Sequence, residues 1–242
     1  MALRHRLAAS LALALVAVPA AGCNPVGRPN AQPRHATASS SDPRHGAPGQ
    51  AGAGDPMFPA LGNAGYDIEH YDLDLTWAPA PRTLTGTVTI TATALQPLSA
   101  FDLDLAGMTV DRVTVDRHPA TFERQGEELV IAPERPLADG ARFAVAVTYH
   151  GAPGPLPYRG GRSTDKLGWL STSRTTYTTQ EPYGAHGWFP CSDHPSDKAS
   201  YTIHLAAPAG LTVVANGALT ERPAGGHGGR WTYDEPAPMA SY

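Results

Sequence analysis

Between Gln180 and Ala199 side chains that could do chemistry are densely spaced: Glu181, His186, Cys191, Asp193, His194, Asp197 and Lys198 fall within twenty residues. Imidazole, thiolate and carboxylate are all zinc ligands, so His186, Cys191, Asp193 and His194 could be drawn as a metal site. Cys191 reads better as a small buried hydrophobe than as a nucleophile, because no flanking basic group would depress its pKa. Taken alone, Glu181 ahead of Pro182 reads as a solvated loop acid, and Lys198 as the partner of a nearby acid rather than a catalyst.

Other chemistries find little support. Gly161-Arg162-Ser163-Thr164-Asp165 lacks the closing glycine of a nucleophile elbow. No glycine-rich loop suited to cradling a phosphate is present, and none of the ten histidines is followed by Glu, so a His-Glu-x-x-His zinc helix is missing. A net charge of −4 and a pI near 6.2 provide no basic footprint for nucleic acid. Trp77, Trp169, Trp188 and Trp231 sit at strand-like positions, where core packing explains them better than a carbohydrate platform.

The elements that must position these residues are short strands. Tyr66, Ile68 and His70 alternate with acidic residues, then Tyr71, Leu73, Leu75 and Trp77 alternate in a shifted phase, which calls for a bulge or a change of buried face. Alternation or β-rich composition continues through 84–94, 101–105, 110–115, 121–124, 128–132, 143–149, 167–177, 201–205 and 211–214, with a further strand opening at Trp231. Ala215-Asn216-Gly217 supplies a hairpin-type turn. No stretch sustains a helical period, so the fold class is all-β, sandwich-like or an open curved antiparallel sheet.

The ends differ in kind. Residues 1–23 combine a cationic start, an apolar run from Leu7 to Val18 and small residues before Cys23, a secretory signal pattern. The apolar run is shorter than the ~20 residues a spanning helix takes. Ala20-Ala21-Gly22-Cys23 resembles a bacterial lipobox, although Ala20 stands where Leu is usual; Cys23 is the expected lipidation site, with free secretion through cleavage after Ala20 as the alternative. The product is exported, held at the cell membrane by lipid or secreted. Residues 24–62 are rich in Pro, Gly, Ala and Ser, which predicts a disordered linker, leaving 63–242 as the folded part. Once Cys23 carries lipid, Cys191 has no disulfide partner.

The run from Gln180 to Ala199, with its Pro190-Cys191-x-Asp193-His194-Pro195-x-x-Lys198-Ala199 core, resembles the signature of the aminopeptidase N family of zinc metallopeptidases. The resemblance covers roughly Gly65 to Tyr242 and implies a saddle-shaped all-β N-terminal domain. Counting back from Pro190-Cys191 puts Glu181 where the family uses Gln or Glu to bind the free α-amino group of a peptide; Gln180 falls one position earlier. The same resemblance implies that Asp193 caps a structural turn rather than binding metal. His186 stands where many relatives have Arg.

What the resemblance implies for function is a substrate-anchoring domain of an exported zinc aminopeptidase, with Glu181 and Gln180 as substrate-binding residues. Catalytic residues, metal ligands and cofactor are expected to be none in this chain, the zinc belonging to a catalytic domain that this sequence lacks. The partner is a peptide N-terminus, with the membrane reached only through the lipid. On this reading the chain is inactive alone, and its C-terminal strands expose an unpaired sheet edge. The alternative is a stand-alone, non-catalytic β-sandwich lipoprotein that binds peptides or proteins at the cell surface.

Overall fold

The computed structural model describes residues 46–158, 166–225 and 228–242. The signal segment with Cys23, the linker up to residue 45 and the Gly161–Asp165 stretch lie outside the described residues.

Among the described residues seventeen strands follow in chain order. Three short ones, β1 (Ala47–Pro48), β2 (Gln50–Ala51) and β3 (Asn63–Ala64), precede the long hairpin β4 (Tyr66–Ala78) and β5 (Thr83–Ala94). Then come β6 (Leu98–Asp104), β7 (Thr109–Val115), β8 (His118–Pro119), β9 (Thr121–Gln125), β10 (Glu128–Ala132) and β11 (Arg142–Gly151). β12 (Pro155–Pro157), β13 (Lys166–Ser171), β14 (Thr176–Thr179), β15 (Lys198–Ala207), β16 (Ala218–Glu221) and β17 (Gly229–Ala240) complete the series.

An eight-stranded sheet in the order β16-β17-β15-β4-β5-β11-β7-β8 forms the backbone of the domain. Its pairs are antiparallel except β4 with β15, where Tyr71 faces Tyr201 and Leu75 faces Leu205 in parallel. A second sheet, β1-β6-β10-β9, shares one core with it: Phe101 and Leu103 of β6 and Leu129 and Ile131 of β10 are buried in the same cluster as Ile68, Ile90 and Val147. Tyr66 and Phe143 meet Phe101 with ring centroids 5.8 and 5.2 Å apart, so aromatic edges and faces lock the layers together. A smaller sheet, β12-β13-β14, completes the frame of the site.

The phase slip in β4 is a bulge. The register passes from Ile68 opposite Ala92 to His70 opposite Thr91, which leaves Glu69 without an opposing residue. Tyr66, Ile68, Tyr71, Leu73, Leu75 and Trp77 thereby keep one buried face. The extra residue turns outward, where the Glu69 carboxylate accepts hydrogen bonds from Thr93 Oγ1 at 2.6 Å and Arg142 Nε at 2.8 Å.

Four expectations are revised. The weak alternation over 167–177 is a hairpin, β13 to β14, rather than one strand. Residues 211–214 form no strand, because β17 is already paired by β15 on one side and β16 on the other, so no ladder position is left for them. Val213 is buried instead against Trp231 and Tyr233, and Tyr233 Oη donates to its carbonyl at 2.8 Å. For the same reason β17 is not an open edge; the edges of the large sheet are the short β16 and β8.

The fourth concerns the linker. From Gly46 onward the segment assigned to a tether lies against the domain: β1 pairs parallel with β6, Gly49 N donates to Ala100 O at 2.8 Å, and β2 pairs with β3. Leu61 is buried. Gly62, at φ +66°, brings this segment so close that an added Cβ would lie 2.5 Å from the His194 Cβ. Main-chain pairing to a sheet edge needs no apolar side-chain pattern, so composition does not reveal it.

A chain beginning at Gly46 is therefore expected to be more stable than one beginning at Asn63 by about 2 kcal/mol, from burial of Leu61 and several main-chain hydrogen bonds. Thermal melts should separate the two by roughly 4–8 °C for a domain of this size. Equal melting temperatures would show that residues 46–62 contribute no stability.

Candidate functional site

β14 runs directly into the signature loop, and a single buried carboxylate shapes that loop. Asp193, fully buried, accepts Gly184 N at 2.7 Å, His186 N at 3.2 Å and His186 Nδ1 at 2.5 Å on Oδ2, and Ser241 Oγ at 2.6 Å on Oδ1. Burial pushes this carboxyl up, but His186, the Ser241 hydroxyl and the Gly184 N–H together outweigh it and hold Asp193 below the ordinary carboxylate range. Gly184 adopts φ +134°, where an added Cβ would sit 3.0 Å from Gly168 N. The chain then makes one buried 3-10 turn, Ala185–Gly187. Asp193 is thus the turn cap that the resemblance implies.

The loop is also tied to both sheets. Asp104 N donates to Cys191 O at 2.7 Å, Ala106 N to His186 O at 2.7 Å, and Asp193 N to Asp104 Oδ2 at 2.7 Å. From the large sheet, Tyr149 Oη donates to Trp188 O at 2.9 Å, and Tyr71 Oη accepts Ser192 N at 3.1 Å.

The two sequence-assigned substrate-binding residues have different situations. Gln180 is half-buried and its amide is fully engaged: Oε1 accepts Trp188 Nε1 at 2.8 Å and Nε2 donates to Ser241 O at 2.9 Å. Glu181 is exposed and enters no hydrogen bond or ion pair among the described residues. One side chain is a brace; the other is an available carboxylate. Trp188, expected at a strand position, instead follows the 3-10 turn, and Ser241, sixty-one residues downstream of Gln180, carries no local sequence signal for the brace that the two complete.

The potential zinc donors do not fit a metal. His186 and Asp193 are spent on each other, and His194 bonds Ser196 Oγ through Nδ1 at 2.7 Å and Asp55 Oδ2 through Nε2 at 3.2 Å. Cys191 is fully buried; burial first, then the nearby Asp193, pushes its thiol well above the ordinary range, as suits an inert core residue. Lys198 is exposed and forms no ion pair among the described residues, so the pairing expected for it is not made.

Beside the loop lies a groove of about 620 Å³ over β4, β15 and β17. Trp77, Trp169 and Trp188 form a continuous floor with centroids 5.1 and 5.5 Å apart. The β13–β14 hairpin makes one wall and residues 210–216 the other, with Gln180 and Ser241 at one end.

Acids behind the loop bear on pH dependence. Burial, then the neighbouring Asp102, raises Glu128 to about 7, and burial raises Asp197 to about 6 despite the Ser192 hydroxyl. Both titrate higher in the folded than in the unfolded chain, so protonation between about pH 7 and about pH 5 favours the fold. Asp193 has the opposite sign: its contribution is present above the ordinary carboxylate pKa and is lost as pH falls through its lower folded value. Melting temperature should rise from about pH 7.5 to about pH 5 and fall at stronger acid, and Glu128→Gln should flatten part of the rise. Asp193→Asn, which strips the acceptor from buried donors, should cost about 3 kcal/mol in denaturant unfolding. A cost below about 0.5 kcal/mol would remove Asp193 from the centre of the loop.

Residues 68–242 match the Peptidase M1 N-terminal domain. The crystal structure of an M1 zinc metallopeptidase from Deinococcus radiodurans superposes with a TM-score of 0.72 and 32% identity, over 79% of this chain and 43% of that one. Aminopeptidase B of Mus musculus is 25% identical over 189 residues, 65% of this chain and 28% of the relative. Leucine aminopeptidase 2 of Candida glabrata is 26% identical over 190 residues, 73% of this chain and 27% of the relative. The chain therefore spans less than half the length of these relatives. With its all-β fold and a signature loop held by Asp193, the chain belongs to the M1 peptidase family, of which it carries the N-terminal domain.

Proposed function

We propose that this domain is the substrate-anchoring wall of an exported zinc aminopeptidase, and that Glu181 binds the free α-amino group of the peptide. One observation carries the reading: within a loop fixed by buried hydrogen bonds, Glu181 is an exposed carboxylate with no partner among the described residues, while its neighbour Gln180 is occupied by Trp188 and Ser241. A carboxylate about 4 Å from an ammonium gains a gross attraction of about 4 kcal/mol at an effective dielectric of 20. In an open site solvent screening reduces this, so the domain by itself should hold an amine only in the millimolar range or more weakly. Similarity to M1 aminopeptidases supports a peptide as the bound species; a mutant of the Deinococcus radiodurans enzyme is described bound to a Tyr-Ser-Ala substrate. The zinc and the bond-breaking groups are assigned to the remainder of the longer enzyme, because His186 and Asp193 are bonded to each other, His194 is held by Ser196 and Asp55, and Cys191 is buried with a raised thiol pKa. On this proposal Gln180, expected as a substrate ligand, acts as a positioning residue through its bonds to Trp188 and Ser241.

Nuclear magnetic resonance titration of the chain with leucinamide tests this. Shifts should appear around Glu181 with leucinamide, be absent with N-acetyl-leucinamide, and be absent in Glu181→Gln, whose stability should stay within about 0.5 kcal/mol of the parent because the side chain is exposed. Equal shifts from the acetylated compound, or unchanged shifts in the variant, would overturn the assignment.

For the N-terminus we propose export with lipid on Cys23, supported by the apolar run Leu7 to Val18 and the small residues before the cysteine. Expressed in a bacterium that processes lipoproteins, the protein should partition with membranes and incorporate labelled palmitate, and Cys23→Ser should release it to the soluble exported fraction. Recovery of unlabelled parent protein in that soluble fraction would favour simple secretion.

A further inference from the structure

The groove beside the signature loop has a wall that is unfinished as a sheet. β14 pairs with β13 on one side, and among the described residues its other edge, Thr176–Thr179, forms no main-chain hydrogen bond. That edge carries no proline and no charge, the features that ordinarily block strand addition. It flanks a floor of Trp77, Trp169, Trp188, Leu205 and Met239, and Arg174 is the one charged residue among the lining. Tyr177, Val214 and Tyr242, 48%, 83% and 52% exposed, stand at its rim, three of the large apolar side chains that the surface leaves uncovered. Trp77 Nε1, Trp169 Nε1 and Tyr201 Oη, on residues of the same lining, have no hydrogen-bond partner among the described residues.

We propose that this groove seats one extended, uncharged polypeptide strand that adds antiparallel to β14 and places every second, apolar side chain on the tryptophan floor. The direction follows from Ser241. Its carbonyl accepts Gln180 Nε2 and its hydroxyl donates to Asp193, so the polypeptide leaving β17 arrives at the C-terminal end of β14, and a strand running onward from there along the edge must oppose it. The occupant is the polypeptide that follows the N-terminal domain in the longer relatives, of which this chain spans 43% in the Deinococcus radiodurans structure and 28% in aminopeptidase B. A small apolar ligand would leave the β14 edge unpaired; a strand satisfies edge and floor together. This inference does not depend on Glu181.

The probe is acetyl-Lys-Val-Thr-Val-Thr-Val-Thr-Lys-amide, whose uncharged Val-Thr core is the part that spans the groove, whose terminal lysines serve only solubility, and whose blocked N-terminus removes the α-amino group. Saturable change in tryptophan fluorescence is expected, together with about tenfold slower amide hydrogen exchange at alternate residues of Thr176–Thr179, the period-two mark of strand addition. Val214→Asp, which alters an exposed rim residue and should melt like the parent, is expected to weaken binding about tenfold. Three outcomes would overturn the proposal: no binding up to about 1 mM peptide; a fluorescence change without slower exchange on β14; or, without peptide, a sedimenting dimer with β14 already protected, which would make a second copy the occupant.

Discussion

The site depends on one buried carboxylate. Asp193 gathers a backbone N–H from Gly184, another from His186, the His186 ring and the Ser241 hydroxyl, and its own N–H rests on Asp104. A charge so far from water survives only because each oxygen is met by donors. The same requirement shapes the chain: donors sixty or fewer residues apart must converge on one point, so the loop closes on itself, takes the positive φ available at Gly184, and holds the exit of β17 against the end of β14.

From that clamp the division of labour between neighbours follows. Gln180 and Glu181 are adjacent in sequence and chemically similar, yet Gln180 is turned inward between an indole N–H and a main-chain carbonyl, and Glu181 outward to solvent. A neutral amide suits the inner position because it donates and accepts at once. A carboxylate there would meet the Ser241 carbonyl with no proton to offer. The free charge therefore stands on a stem that is fixed from behind, the condition under which one carboxylate can select an amine by position.

The apolar side of the domain is arranged by the large sheet rather than by the loop. The Glu69 bulge keeps Leu73, Leu75 and Trp77 on one face, and the parallel partner β15 brings Ile203 and Leu205 beside them. The hairpin β13–β14 then lays Trp169 against Trp77, which leaves a groove with an aromatic floor and a wall that ends in an unpaired strand edge. Loop and groove meet at Gln180 and Ser241, so an extended chain along β14 and a charge at Glu181 would be held by one rigid frame.

Period-two alternation was enough to read the all-β class, most strand positions and the presence of a bulge near His70, because burial of one face writes itself directly into side-chain order. Likewise the Pro190-Cys191-x-Asp193-His194-Pro195-x-x-Lys198-Ala199 run, a local pattern, pointed to the signature loop and the peptidase family. Contacts distant in sequence were not legible. That the segment from Gly46 pairs with β6 and β3, that residues 211–214 lose their ladder to β16, and that Gln180 is a brace while Glu181 is free all depend on which backbone and side-chain groups arrive at the same place. Hydrogen-bond partners are assigned by convergence in space, and each donor or acceptor used up at one contact is withdrawn from every other; only the folded chain settles that allocation.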